Sequence, residues 1–215
     1  AIGCWGAGGW GQLGAGGAQS SRVPVRVDPA AFGGRVPVLI AAGEQTACAV
    51  TRGGSASDTI VFCWGRNPYG QHGVASGSQH DTPVVVHDPN RVLTGVTAIA
   101  GGHGVFCVLN SRTTSTNAAC WGGGERGVLG DGVAHRRAIP EPIVSNRTGF
   151  TVLDVNGTHA CAASAVAVTC WGENDRGQLG TGRTSAAGAV VAPVDVVDRD
   201  GVLGRSPVVS LGLTW

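Results

Sequence analysis

The sequence predicts an all-β chain, a β-propeller of four-stranded antiparallel blades, and three observations carry that reading. A Trp-Gly motif recurs four times: WGAGGWGQLG at residues 5–14, WGRNPYGQHG at 64–73, WGGGERGVLG at 121–130 and WGENDRGQLG at 171–180. Its tryptophans lie 59, 57 and 50 residues apart, the period of a supersecondary unit rather than of a single strand or helix. Short valine-rich runs broken by Gly, Pro, Asn and Asp read as strands and turns. A helical repeat fits poorly, because the 37 Gly and 10 Pro fall too often to leave helices of useful length.

The elements follow in the same order within each unit. A cysteine precedes each tryptophan (Cys4, Cys63, Cys120, Cys170), and Cys-Trp-Gly reads as one strand. A proline falls 19, 19, 19 and 22 residues after the four tryptophans (Pro24, Pro83, Pro140, Pro193) and marks an apolar run that reads as the next strand. A Val-led strand follows at 38–43, 96–101, 152–157 and 208–213. After the first three of these comes a second cysteine, Cys48, Cys107 or Cys161, on a fourth strand. The chain therefore reads as a single propeller segment, 1–215, with repeat units 4–62, 63–119, 120–169 and 170–215. Blades are expected near 36–88, 94–146 and 151–198, with parts of blades at 1–28 and 207–215. Because both ends cut through a blade, Trp215 included, the expectation is a piece of a larger ring. An open arc whose ends complete a neighbour's blade is the other reading.

These residues resemble the regulator-of-chromosome-condensation repeat family, whose pattern is Trp-Gly-x-Asn-x-x-Gly-Gln-Leu-Gly, a Pro-Val stretch and a Val-x-x-Ala-Ala-Gly strand with a following His-Thr segment. The fourth copy, WGENDRGQLGTG, is nearest to it, and His103 and His159 stand in for the histidine segment. The resemblance implies a propeller, usually seven-bladed. It implies a non-enzymatic role in binding another protein across one face, as in a secreted bacterial β-lactamase inhibitor of this fold. The alternative it implies is exchange-factor activity on a small GTPase.

Phasing makes sense of seven cysteines. Cys48 with Cys63, Cys107 with Cys120 and Cys161 with Cys170 each bracket one expected hairpin, where facing strands come close enough for a disulfide. Cys4 would be the second member of a pair whose first member lies upstream. Disulfides belong to oxidising compartments, so secretion or the cell surface is expected. Arginine supplies all fifteen basic residues and lysine none, which with abundant Ala, Gly and Val suggests a GC-rich bacterial source. The sequons at Asn146 and Asn156 are then chance matches.

Charge is nearly balanced, 15 basic against 14 acidic residues, with the arginines scattered; no nucleic-acid partner and no membrane insertion is expected. The glycine runs at 6–11 and 122–127 match the dinucleotide fingerprint, but a strand follows where that site needs a helix. No catalytic residue, cofactor or metal site is expected: the six histidines lack ligand spacing, and no nucleophile elbow occurs. His103 and His159 are expected at equivalent places, each donating to a backbone carbonyl.

Counting each motif from its tryptophan, position six is Trp10, Tyr69, Arg126 and Arg176. Those types are enriched at interface hot spots, and successive blades would set them along one rim. His72, where the other copies have leucine, is a second irregularity on that loop. These five residues are the expected protein-binding set, for another protein or for self-association, the latter as a surface filament subunit. The motif tryptophans 5, 64, 121 and 171 are expected in the core. The turns at 51–59 and 111–118 read as solvated connectors on the opposite face.

Overall fold

The computed structural model describes residues 1–74, 77–88, 91–110, 116–185, 188–201, 203 and 207–213; most of the expected turn at 111–118 and the terminal Trp215 lie outside these. Sixteen strands are described. β1 (Gly3–Gly6) and β2 (Ser21–Arg26) form a two-stranded sheet, followed by a single 3-10 turn at Ala30–Phe32. The first four-stranded blade holds β3 (Val36–Ala42), β4 (Thr46–Arg52), β5 (Thr59–Gly65) and β6 (His80–Val85). A short hairpin, β7 (His87–Asp88) and β8 (Arg91–Val92), leads to the second blade. That blade holds β9 (Val96–Gly102), β10 (Val105–Asn110), β11 (Ala118–Gly122) and β12 (Arg137–Pro142). The third holds β13 (Val152–Val155), β14 (His159–Ala163), β15 (Val168–Glu173) and β16 (Ala189–Asp195). Each is an antiparallel meander in chain order. The fold is that of β-propeller blades.

The Trp-Gly dipeptide has a local cause. Where the third and fourth strands of a blade pair, the register shifts between Cys63 and Gly65, Cys120 and Gly122, and Cys170 and Gly172: the single tryptophan between them opposes three residues of the fourth strand, which carries the extra residues of the irregularity. The glycine behind it has φ of 105°, 104° and 105°, which side chains resist. A Cβ on Gly122 would sit 2.1 Å from the Gly104 carbonyl oxygen. β1 and β2 carry the same shift between Cys4 and Gly6.

The apolar core lies between blades. One cluster joins Val50, Val61 and Val86 of the first blade to Phe106, Val108 and Trp121 of the second. Another joins Leu109, Val128 and Leu129 to Ala160, Ala162 and Trp171. A third sets Val27 and Phe32 against Phe62 and Trp64, with Phe32 edge-on to Phe62 at 5.2 Å. Trp64, Trp121 and Trp171 are fully buried.

Two expectations fail. Trp5 is not in the core but 66% exposed, because the tryptophan of each unit packs against the preceding unit and Trp5 has no described unit before it. Residues 207–213 form no strand. Val208, Leu211 and Leu213 pack on the third blade, and Leu213 N donates to Asp154 Oδ2 (2.8 Å). No described strand supplies the ladder that would make the segment regular.

The cysteines follow the register. Cys48 faces Cys63, Cys107 faces Cys120 and Cys161 faces Cys170, and each pair is a disulfide with Cα atoms 4.0, 4.1 and 4.1 Å apart. Cys4 is free and half-buried, and burial raises its thiol above the ordinary range.

Candidate binding face

The motif loops are built by short-range hydrogen bonds that fix position six. The backbone N–H groups of Trp10, Tyr69 and Arg176 donate to the side-chain oxygen two residues on, Gln12, Gln71 and Gln178, at 2.9, 2.8 and 2.9 Å. The third copy has Val128 in that place. Position eight then offers its carbonyl to the next unit. Trp64 Nε1 donates to Gln12 O (2.9 Å), Trp121 Nε1 to Gln71 O (2.8 Å) and Trp171 Nε1 to Val128 O (2.7 Å). At two of these three junctions the closing glycine of the loop makes room for the same indole: a Cβ on Gly14 would lie 2.7 Å from Trp64 Nε1, and one on Gly130 2.8 Å from Trp171 Nε1, whereas one on Gly73 would meet Val86 at 2.3 Å.

Position six reaches across the same junctions to position three of the following motif. The Arg66 guanidinium lies 4.5 Å from the centre of the Trp10 ring. Tyr69 covers Gly123, where a Cβ would meet its ring at 3.5 Å, and carries the Arg136 guanidinium 4.5 Å from its centre. Arg126 pairs with Glu173. Sequence reasoning missed Arg66, Arg136 and Glu173. Two of them occupy position three, where Ala7, Arg66, Gly123 and Glu173 vary in size and charge, and that variation was the available signal.

The result is one face on which exposed aromatic and charged groups alternate. Trp10 is 42% and Tyr69 36% exposed, and Arg126 and Arg176 are exposed. Two grooves open between the loops. One of about 350 Å³ is lined by Glu44, Tyr69, His103, Arg126 and Thr158. The other, about 620 Å³, is lined by Arg126, His159, Glu173, Asp175 and Arg176. Arginines and carboxylates are paired along the rim, as in Arg136–Glu125 and Arg126–Glu173. Burial pushes the Glu125 carboxyl up, but the Arg136 hydrogen bond and charge outweigh it and hold the group below its usual range.

His72 does not belong to this face. It is fully buried, in the place that Leu13, Leu129 and Leu179 fill elsewhere, so no partner can touch it. Its backbone N–H donates to Asn67 Oδ1 (3.0 Å), its Nδ1 shares a hydrogen bond with His80 Nδ1 (3.0 Å), and its Nε2 is buried with no hydrogen-bond partner among the described residues. Burial first, and the charge of His80 second, lower its pKa to about 3. The two histidines of the repeat are not equivalent either. His159 opens β14 facing Gly172, as Val105 faces Gly122, whereas His103 sits in a hairpin turn with φ 45°. His103 Nδ1 faces the Glu44 carboxylate at 3.4 Å, and His159 Nδ1 is buried with no hydrogen-bond partner among the described residues. Asn156 lies in the turn after β13 rather than on a strand, buried, its Oδ1 accepting from Thr158 N and His159 N. Among the described residues no three His, Cys, Asp or Glu come together as a metal site. Nor is any described helix long and apolar enough to cross a membrane.

Comparison with known proteins agrees with this architecture. The family described as regulator of chromosome condensation (RCC1) repeat matches at residues 4–50 and again at 38–71. Human E3 ubiquitin-protein ligase HERC2 is 34% identical over 144 residues, 64% of this chain and 3% of that protein; the mouse protein matches equally. Human WBSCR16 superposes with a TM-score of 0.73 at 25% identity, covering 90% of this chain and 48% of the other. Prp20p from Saccharomyces cerevisiae, solved with a study of its binding to Gsp1p and histones, gives 0.68 at 20% identity, covering 92% and 46%. The chain thus spans about half of each solved propeller and a small part of the curated relatives. Over residues 4–71 the chain matches repeats of the regulator-of-chromosome-condensation type, and the motif with its indole contact recurs beyond them on propeller blades.

Proposed function

We propose that the chain is a non-enzymatic, extracellular protein-binding module that engages another protein across the face of its motif loops. One observation carries this: Trp10, Tyr69, Arg126 and Arg176 project from equivalent loops onto one face, beside two grooves, while Trp64, Trp121 and Trp171 of the motif are consumed by packing between blades. Aromatic and arginine side chains held by rigid loops lose little entropy on binding and supply much of the contact energy. The three disulfides support the extracellular setting.

The test is photo-crosslinking at the cell surface from position 69, with position 57 in the opposite turn as control, followed by affinity measurement with the captured protein. Trp10→Ala with Tyr69→Ala should weaken binding roughly tenfold or more without changing thermal unfolding. Unchanged affinity would remove this face. Accelerated nucleotide release from a small GTPase by the disulfide-bonded chain would replace the reading with an exchange factor.

A further inference from the structure

The second motif loop, residues 64–73, departs from the other three at two places that touch. Position nine is His72, where Leu13, Leu129 and Leu179 stand in the other copies. The residue facing Gly65 on the next strand is His80, where Ser21, Arg137 and Val190 face the matching glycines. The two imidazoles meet Nδ1 to Nδ1 at 3.0 Å, with ring centres 5.2 Å apart. His72 is fully buried, and its Nε2 has no hydrogen-bond partner among the described residues. The loop built over this pair has two duties. It holds Tyr69 on the binding face, with Tyr69 N donating to Gln71 Oε1 (2.8 Å). It also joins the first blade to the second, with the Gln71 carbonyl accepting from Trp121 Nε1 (2.8 Å).

Two neutral imidazoles in this contact need one hydrogen between them, so one ring donates and the other accepts. A proton taken by His80, the less buried ring, leaves His72 an acceptor and keeps the contact. A proton on His72 as well sets two donors face to face in a site without water. The surroundings do not compensate: the groups acting on the His72 charge are the His80 ring, which opposes it, and the Arg66 backbone, which favours it less. The Arg66 guanidinium lies over Trp10 and on Gln45 instead. Asp81, next on β6, packs on Gly11 of the first motif loop. On β12, which packs on this loop at Gly70, Arg137 pairs with Asp131 and Glu141. His87 is exposed and meets the loop through its backbone, N–H to the Gly73 carbonyl (3.4 Å). His72 therefore takes up a proton only when the loop opens to water. We propose that the second motif loop is an acid-released latch: as pH falls, residues 64–73 open locally, Tyr69 leaves the binding face and the partner is let go. Release of a partner rests on the reading of that face given above; opening of the loop does not. His72 titrates at about 3 in the closed loop and at 6.5 once exposed, so the closed form is fully favoured above 6.5 and loses ground as pH drops below it. At pH 5 the open form gains roughly 30-fold. The loops with leucine at position nine have no such response.

The test is hydrogen exchange of the indole N–H groups in the full chain between about pH 7.5 and pH 5. Trp171 is the internal reference, because the loop that accepts its indole carries Leu129. Exchange of Trp121 relative to Trp171 should rise roughly 30-fold in the wild type over that range and stay level in His72→Leu. His80→Ser, the residue of the first unit, should raise the ratio at neutral pH and keep its acid response, since His72 stays buried. A ratio that does not move with pH in the wild type, or that moves equally in His72→Leu, overturns the proposal. Affinity for the protein captured from position 69 is then measured down to about pH 4, because binding weakens once the open loop is a sizeable share of the molecules. The wild type should lose affinity with acid more steeply than His72→Leu, and equal loss by the two overturns partner release. Tyr69→Ala without effect on affinity at neutral pH would overturn the face and partner release with it, while the exchange ratio judges the latch by itself.

Discussion

Trp121 shows at residue scale why the motif repeats. It fills the gap between two blades and spends its one polar atom on the Gln71 carbonyl, so neither group is left buried and unpaired. Trp121→Phe should cost about 1–3 kcal/mol in urea unfolding, the penalty for a stranded carbonyl, and Trp121→Ala about 3–5 kcal/mol. His72 is the residue where the repeat departs from its own rule. Its pKa is depressed in the folded chain, to about 3 against 6.5, because burial first and His80 second disfavour the cation. The unfolded chain therefore binds more protons than the native one between those values, and stability should fall as pH drops from about 6.5 towards 3. His72→Leu restores the residue of the other copies and should flatten that part of a stability–pH profile measured by denaturant titration. The sequence marks His72 as irregular but places it on the surface. Only the packing shows that the leucine position points inward.

Strands and staples were the most legible elements. The phase of Cys48, Cys107 and Cys161 against the Cys-Trp-Gly strands states the disulfide pairing, because an antiparallel hairpin leaves each cysteine one facing partner. The bridges close loops separated by 15, 13 and 9 residues, so each should stabilise by roughly 2–4 kcal/mol. Replacing Cys107 and Cys120 together by alanine should lower the urea midpoint accordingly, and a reductant should have no further effect at that blade. Contacts between units were not legible. Arg66 under Trp10 and Glu173 beside Arg126 are separated by tens of residues, and no periodic pattern announces such a partner. Residues 207–213 were misread for a related reason. Their alternation is that of a strand, but a strand also needs a neighbour to pair with.

For the whole molecule, the repeat divides into a part that joins blades and a part that faces outward. Tryptophan, its glycine and position eight belong to the joint, and positions three and six line the face. The two parts respond differently to change: face variants such as Trp10→Ala should alter binding and leave unfolding unchanged, whereas joint variants should do the reverse. That division is tested most directly by hydrogen exchange of the indole N–H groups in a nitrogen-15-labelled protein, assigned through single Trp→Phe variants. Trp64, Trp121 and Trp171 should exchange orders of magnitude more slowly than Trp10, because each must wait for its blade junction to open. Comparable exchange at all four would contradict the inter-blade indole contact and, with it, the reading of the motif as architecture.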